Sequence, residues 1–272
     1  MTEGRQLLTF FAIAFAYTWT WAALMIAWHL RIEYSILASA GPRIAAIATH
    51  RMAGGRGPAF RINVDWRRTL LASISGVALV LASEIILPAS AIADASKLGW
   101  SVFVSPASYN YSTLLGGPLF EEPGWRGYAL SRLDSRYGPL TGTLILGLAW
   151  SAWHMPFFWY PGWSSIPIWN YFLLVTAFAV MLSWATNLAR FGVIAAILMH
   201  AAHNTSGRYF NGLFARADPG SGGFLPAIAR LAHTNITLSF GVLVALGAWT
   251  GAILVIAATR GRLAYDAEAV TR

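Results

Sequence analysis

The chain has 272 residues, of which 57% are hydrophobic and 11% charged, with a formal charge of +8 and no cysteine. A soluble globular domain carries about 25% charged residues, so this composition, with a mean hydropathy of +0.54, reads as an all-α polytopic membrane helix bundle. It excludes disulfides, thiolate metal sites and a cysteine nucleophile. All but two of the 19 lysines and arginines fall between apolar stretches rather than in one stripe. That pattern argues against nucleic acid and for topology signals that meet anionic lipid headgroups.

A bilayer-spanning helix needs about 20 mostly apolar residues. Eight spans are expected, over 7–29, 35–52, 68–93, 108–134, 139–160, 166–188, 191–210 and 236–259. The first is too long for a signal-peptide core and has no convincing cleavage site, so it reads as a membrane anchor. The second is interrupted by Gly41-Pro42-Arg43. The segment Arg51–Asp65 is a glycine- and arginine-rich loop, and Arg208–Thr234 is expected as the longest loop. Placing Arg51, Arg56, Arg61, Arg67 and Arg68 on the cytoplasmic side puts both termini there. Twelve basic residues then lie inside and five outside, as the positive-inside rule requires. With no internal repeat, 1–272 reads as one transmembrane domain, N-in and C-in.

Ionisable side chains within spans are rare, costly and usually functional. Here they are Arg43, Glu84, Glu121, Glu122, Arg126, His154, His200 and His203. On a helix Glu122 and Arg126 are four residues apart and can pair, while Glu121 points about 100° away. Pro123 removes an amide donor and biases Glu122 away from helical backbone, so the helix is a candidate to break here and the two glutamates to exchange roles. Trp150 and His154 share a helix face. His200 and Asn204 point about 40° apart, with His203 about 60° to the other side of His200. Glu84 has no partner in sequence and either lines the same cavity or pairs with Arg43. Phe157-Phe158-Trp159-Tyr160 reads as an interfacial aromatic belt, and His29, His50 and His233 as interfacial or loop residues.

A carboxylate with a histidine can deprotonate water, and a second histidine with an asparagine can stabilise charge on a carbonyl oxygen. The alternative is zinc held by Glu121, His154 and His200 with an open fourth position. Both lead to hydrolysis. No His-Glu-x-x-His, Gly-x-Ser-x-Gly or Gly-x-Gly-Asp motif is present.

The ordered set Glu-Glu-x-x-x-Arg at 121–126, aromatic-x-x-x-His at 150–154 and His-x-x-x-Asn at 200–204 resembles the CPBP family, the CAAX-protease and bacteriocin-processing (Abi) membrane enzymes that include the Ras-converting CAAX endopeptidase. The core of the resemblance is 113–207. It implies an eight-helix intramembrane endopeptidase, of glutamic or metallo type, in the cell membrane of a prokaryote. Its site would open toward the cytoplasm, and its substrate would be a membrane-associated peptide of CAAX or leader type. By the same resemblance Glu121 activates water with His154, His200 and Asn204 form the oxyanion side, and Glu122 and Arg126 support them. Trp150 stands where phenylalanine is typical. The competing readings are a non-catalytic membrane scaffold or immunity protein that keeps the polar cluster for packing, and a proton-coupled transporter.

Overall fold

The computed structural model describes residues 1–62, 65–90, 114, 116–161, 163–164, 166–214 and 236–268. These residues are helical nearly throughout: α1 (Glu3–Ala27), α2 (Ser35–Ser39), α3 (Gly41–Met52), α4 (Trp66–Ser90), α5 (Pro118–Gly124), α6 (Leu130–Tyr137), α7 (Pro139–Trp153), α8 (Ile168–Leu188), α9 (Ile194–Phe214) and α10 (Ile236–Thr259). The chain is an all-α membrane protein, and Glu3–Ala27, Ile168–Leu188 and Gly241–Thr259 are each long and apolar enough to cross a bilayer. The loop expected from Arg208 begins later, because α9 runs to Phe214. His233 lies outside the described residues, as does most of 108–117.

The helices that carry the polar motifs are interrupted, and the interruptions have visible causes. Gly41-Pro42 splits the second apolar run into α2 and α3, with the proline at the start of α3, where its missing amide costs no hydrogen bond. The helix at Glu121-Glu122 does not break at Pro123. The Trp125 N–H reaches the carbonyls of Glu121 and Glu122. Residues Trp125–Ala129 then wind as a π-turn, closed by the Leu130 N–H on the Trp125 carbonyl, before α6 continues. A wide turn of this kind absorbs an irregularity without ending the helix, and such turns recur at functional sites. α7 ends at Trp153 because Pro156 follows two residues after its cap, and Met155–Trp159 continue as a 3₁₀ turn.

Close backbone approach sets how α1, α3 and α5 meet. A Cβ on Gly124 would overlap the Pro42 carbonyl, and one on Gly41 would overlap the Thr18 hydroxyl. Small residues at such crossings are how membrane helices gain packing, since lipid offers no hydrophobic drive between them. Around this crossing Phe10 meets Trp125 edge-on and stacks on Tyr128, with ring centroids 5.4 and 5.3 Å apart. The Trp153 indole donates to the Ala14 carbonyl at 3.3 Å. These contacts fix the π-turn between α1 and α7.

The two ends of the bundle differ in charge. At one end the N-terminus of α1, the loop 56–61 and α6 converge: Arg132 donates to Gln6 (3.3 Å) and Ser135 to Glu3 (3.1 Å). Glu3, His50, Arg61 and Arg132 line one cavity at this end. Arg61 pairs with Gly192 backbone to backbone, and the neighbouring Arg190 faces Asp266 at 4.0 Å. At the other end the C-terminus of α1 meets the turn after α7, with the Tyr160 hydroxyl donating to the Leu30 carbonyl at 2.7 Å. Arg31 lies there and pairs with Glu33 at 2.8 Å.

Candidate active site

A cavity of about 530 Å³ enters the bundle between α2, α5, α7, α8 and α9, within the size range of small-ligand and peptide-binding clefts. Its polar lining includes Glu121, His154, His200, His203 and Asn204; its apolar wall includes Trp150, Trp153, Phe157, Trp163, Tyr171 and Phe178. The three sequence motifs therefore meet in one place. Glu122 and Arg126 do not line it. They lie behind it, both with fully buried side chains.

α5 divides the two glutamates, as helical spacing anticipates. Glu122 faces Arg126, whose Nη1 lies 3.1 Å from Oε2. Its other oxygen, Oε1, accepts from His200 Nδ1 at 2.7 Å. Glu121 faces the cavity. Its Oε2 accepts the Trp150 indole N–H at 2.7 Å and stands 4.0 Å from His154 Nε2.

The histidines are oriented through their Nδ1 atoms. His154 caps α7, and its backbone N–H bonds to the Ser151 carbonyl. The Trp150 carbonyl, left over by that shorter turn, takes His154 Nδ1 at 2.8 Å. A carbonyl only accepts, so Nδ1 carries the hydrogen and Nε2 is left for Glu121 and the cavity. His200 is held in the same way by the Glu122 carboxylate, and His203 by the Glu84 carboxylate, which also accepts from Ser206. Glu84 thus reaches the cavity wall through His203 on α9. It is not paired with Arg43, whose guanidinium lies over the rings of Phe60 and Phe120.

Trp150 ties the site together in a way its sequence position does not announce. Its N–H serves Glu121, its carbonyl serves His154, and its ring lies 4.1 Å from the Arg126 guanidinium carbon and edge-on to His200. Phenylalanine at this position would keep the ring and lose the donor. Phe157 also departs from expectation. It is 4% exposed and lines the cavity, whereas Trp159 is 65% exposed, as a belt residue should be. Gly117 leaves the space between Glu121 and His200 open: an added Cβ would come within 3.0 Å of Glu121 Oε1 and 3.7 Å of His200 Nε2.

Zinc binding would require Glu121, His154 and His200 to converge. Among the described residues no three His, Asp or Glu side chains are placed to hold a metal ion. The Trp150 indole engages one Glu121 oxygen and Glu122 engages His200 Nδ1, which leaves Glu121 Oε1 and the Nε2 atoms of His154 and His200 as the remaining donor atoms of the three.

Residues 103–206 match a family model described as type II CAAX prenyl endopeptidase, Rce1-like. A CAAX prenyl protease 2 of Methanococcus maripaludis is 33% identical over 95 residues, an alignment covering 32% of this chain and 35% of that protein. The chain thus spans about a third of the length of that relative. The matched segment contains every residue from Glu121 to Asn204.

Proposed function

We propose that this CPBP/Rce1-like chain is an intramembrane endopeptidase, with eight spans and both termini cytoplasmic, in which Glu121 and His154 activate a water molecule. One observation carries the reading. Glu121 Oε2 and His154 Nε2 stand 4.0 Å apart on the cavity wall, a separation that one water spans with ordinary hydrogen bonds of about 2.8 Å to each. Glu121 takes a proton as the water oxygen attacks the peptide carbonyl. Negative charge then develops on the carbonyl oxygen, facing His200 and Asn204. The Asn204 amide can donate to that oxygen, and Glu122 fixes the His200 ring beside it through Nδ1 at 2.7 Å. When the C–N bond breaks, Glu121 returns its proton to the leaving amine. A positioned acid–base group contributes about 10²–10⁴ in rate, and an oxyanion donor about 10²–10³.

The apolar wall of Trp153, Phe157, Trp163 and Phe178 suits an extended hydrophobic or lipidated peptide. The direct test is incubation of the purified protein in detergent with lipidated Cys-a-a-X peptides and hydrophobic leader-like peptides. Glu121-dependent cleavage of at least one class is expected; cleavage of none by the folded protein would refute the reading. The same assay after chelation reads metal dependence, and undiminished cleavage is expected.

Trp150→Phe probes the floor of the site alone. It keeps the ring beside Arg126 and deletes the donor to Glu121. A hydrogen bond to a charged group contributes about 1.5–3 kcal/mol, so kcat should fall roughly 10- to 100-fold with little change in KM. An unchanged kcat would remove Trp150 from the positioning of Glu121.

A further inference from the structure

The cavity mouth and the arginines lie at opposite ends of the molecule. Around its entrance the cavity is lined by Ile32, Glu33, Ser35, Ile36 and Trp163, which belong to the segments following α1 and α7. The N-terminus of α1 and the start of α7 lie at the other end, with Arg61, Arg132, Arg136 and Arg190. His154 caps the far end of α7, and Glu121 lies in the first turns of α5. Both are displaced toward the mouth. A site opening toward the cytoplasm and an N-in topology are therefore incompatible in this chain: one α1 helix carries Glu3 at the arginine end and leads into Ile32 at the mouth.

The charge distribution decides between them. Excess Lys and Arg in short loops stays on the cytoplasmic side, and each basic residue near the anionic cytoplasmic surface gains about 1 kcal/mol. By the spans expected from the sequence, reversing the molecule would carry twelve basic residues outward and bring five inward. We propose that the cavity opens to the non-cytoplasmic face of the membrane. Its substrate is then a stretch of a membrane-anchored polypeptide that emerges on that face, such as the flank of a leader or signal-anchor helix, and not a lipidated chain end presented from the cytoplasm. The substrate half of this inference rests on the endopeptidase reading; the orientation half does not.

The absence of native cysteine makes the orientation directly measurable. Glu33→Cys places a thiol at the exposed rim of the mouth, and Gly57→Cys places one at the arginine end, where an added Cβ meets nothing within 4 Å. Each variant is expressed as the full chain in bacterial spheroplasts and treated with a membrane-impermeant maleimide, before and after permeabilisation. The expected result is labelling of residue 33 in intact spheroplasts and of residue 57 only after permeabilisation. Labelling of residue 57 in intact spheroplasts, with residue 33 protected until permeabilisation, would overturn the proposal. Equal labelling of both before permeabilisation would also overturn it, since no single orientation would exist. Neither result depends on cleavage, so a failed orientation is distinguishable from a failed protease assignment.

Discussion

Glu121→Gln should reduce peptide cleavage by at least about 10³-fold, within the range for loss of a positioned general base, while leaving the fold in place. The substitution is nearly isosteric. The amide oxygen can still accept the Trp150 indole N–H that now meets Glu121 at 2.7 Å, so the floor of the cavity keeps its shape. What disappears is the group that takes the proton from water, four ångströms from His154 Nε2. The measurement is kcat on purified protein alongside thermal unfolding of the same sample. A lost kcat with an unchanged unfolding midpoint is expected. Full activity in the glutamine variant would remove Glu121 from the chemistry, and the role of base would have to be found elsewhere in the cavity.

Arg126→Ala should produce the largest loss of stability, about 3–5 kcal/mol, because removing one partner of a fully buried ion pair strands the other charge. Arg126 and Glu122 both have 0% side-chain exposure, and the arginine also packs on the Trp150 ring. The double variant Glu122→Gln/Arg126→Met separates stability from function. Replacing both charges with groups of similar size removes the stranded charge and should recover most of the stability. It should not recover activity, because His200 Nδ1 then faces an amide where the carboxylate stood at 2.7 Å. Unfolding midpoints and kcat of the single and double variants check both statements. Recovered activity in the double variant would mean that His200 does not need its carboxylate.

Much of this arrangement is legible in the chain order of its residues, because helical spacing is local. Glu122 and Arg126 pair four residues apart, and Glu121 points away from them. What spacing cannot supply is the choice of partners between helices. His200 meets Glu122 across 78 positions, and His203 meets Glu84 across 119; nothing periodic in the sequence encodes either pairing. Pro123 illustrates a second limit. Its local preference favours a break, but packing around Trp125 and Tyr128, both fully buried, holds the helix together through a π-turn. Phe157 reads as one more belt aromatic because it stands in a run of four aromatics, and only the 3₁₀ turn after α7 brings it inward. The clearest missed signal was Trp150. A tryptophan in place of the usual phenylalanine adds one N–H donor, and a buried donor needs an acceptor. That requirement pointed toward the carboxylate it meets.

Whether Glu121 directs water at a peptide bond of a membrane-anchored substrate is read from polypeptide termini in membranes of cells carrying the wild-type chain and cells carrying Glu121→Gln. At least one terminus, close to a transmembrane or leader segment, is expected with the wild type and not with the variant at equal protein level. Identical sets of termini in the two membranes, with both proteins folded and expressed, would contradict it.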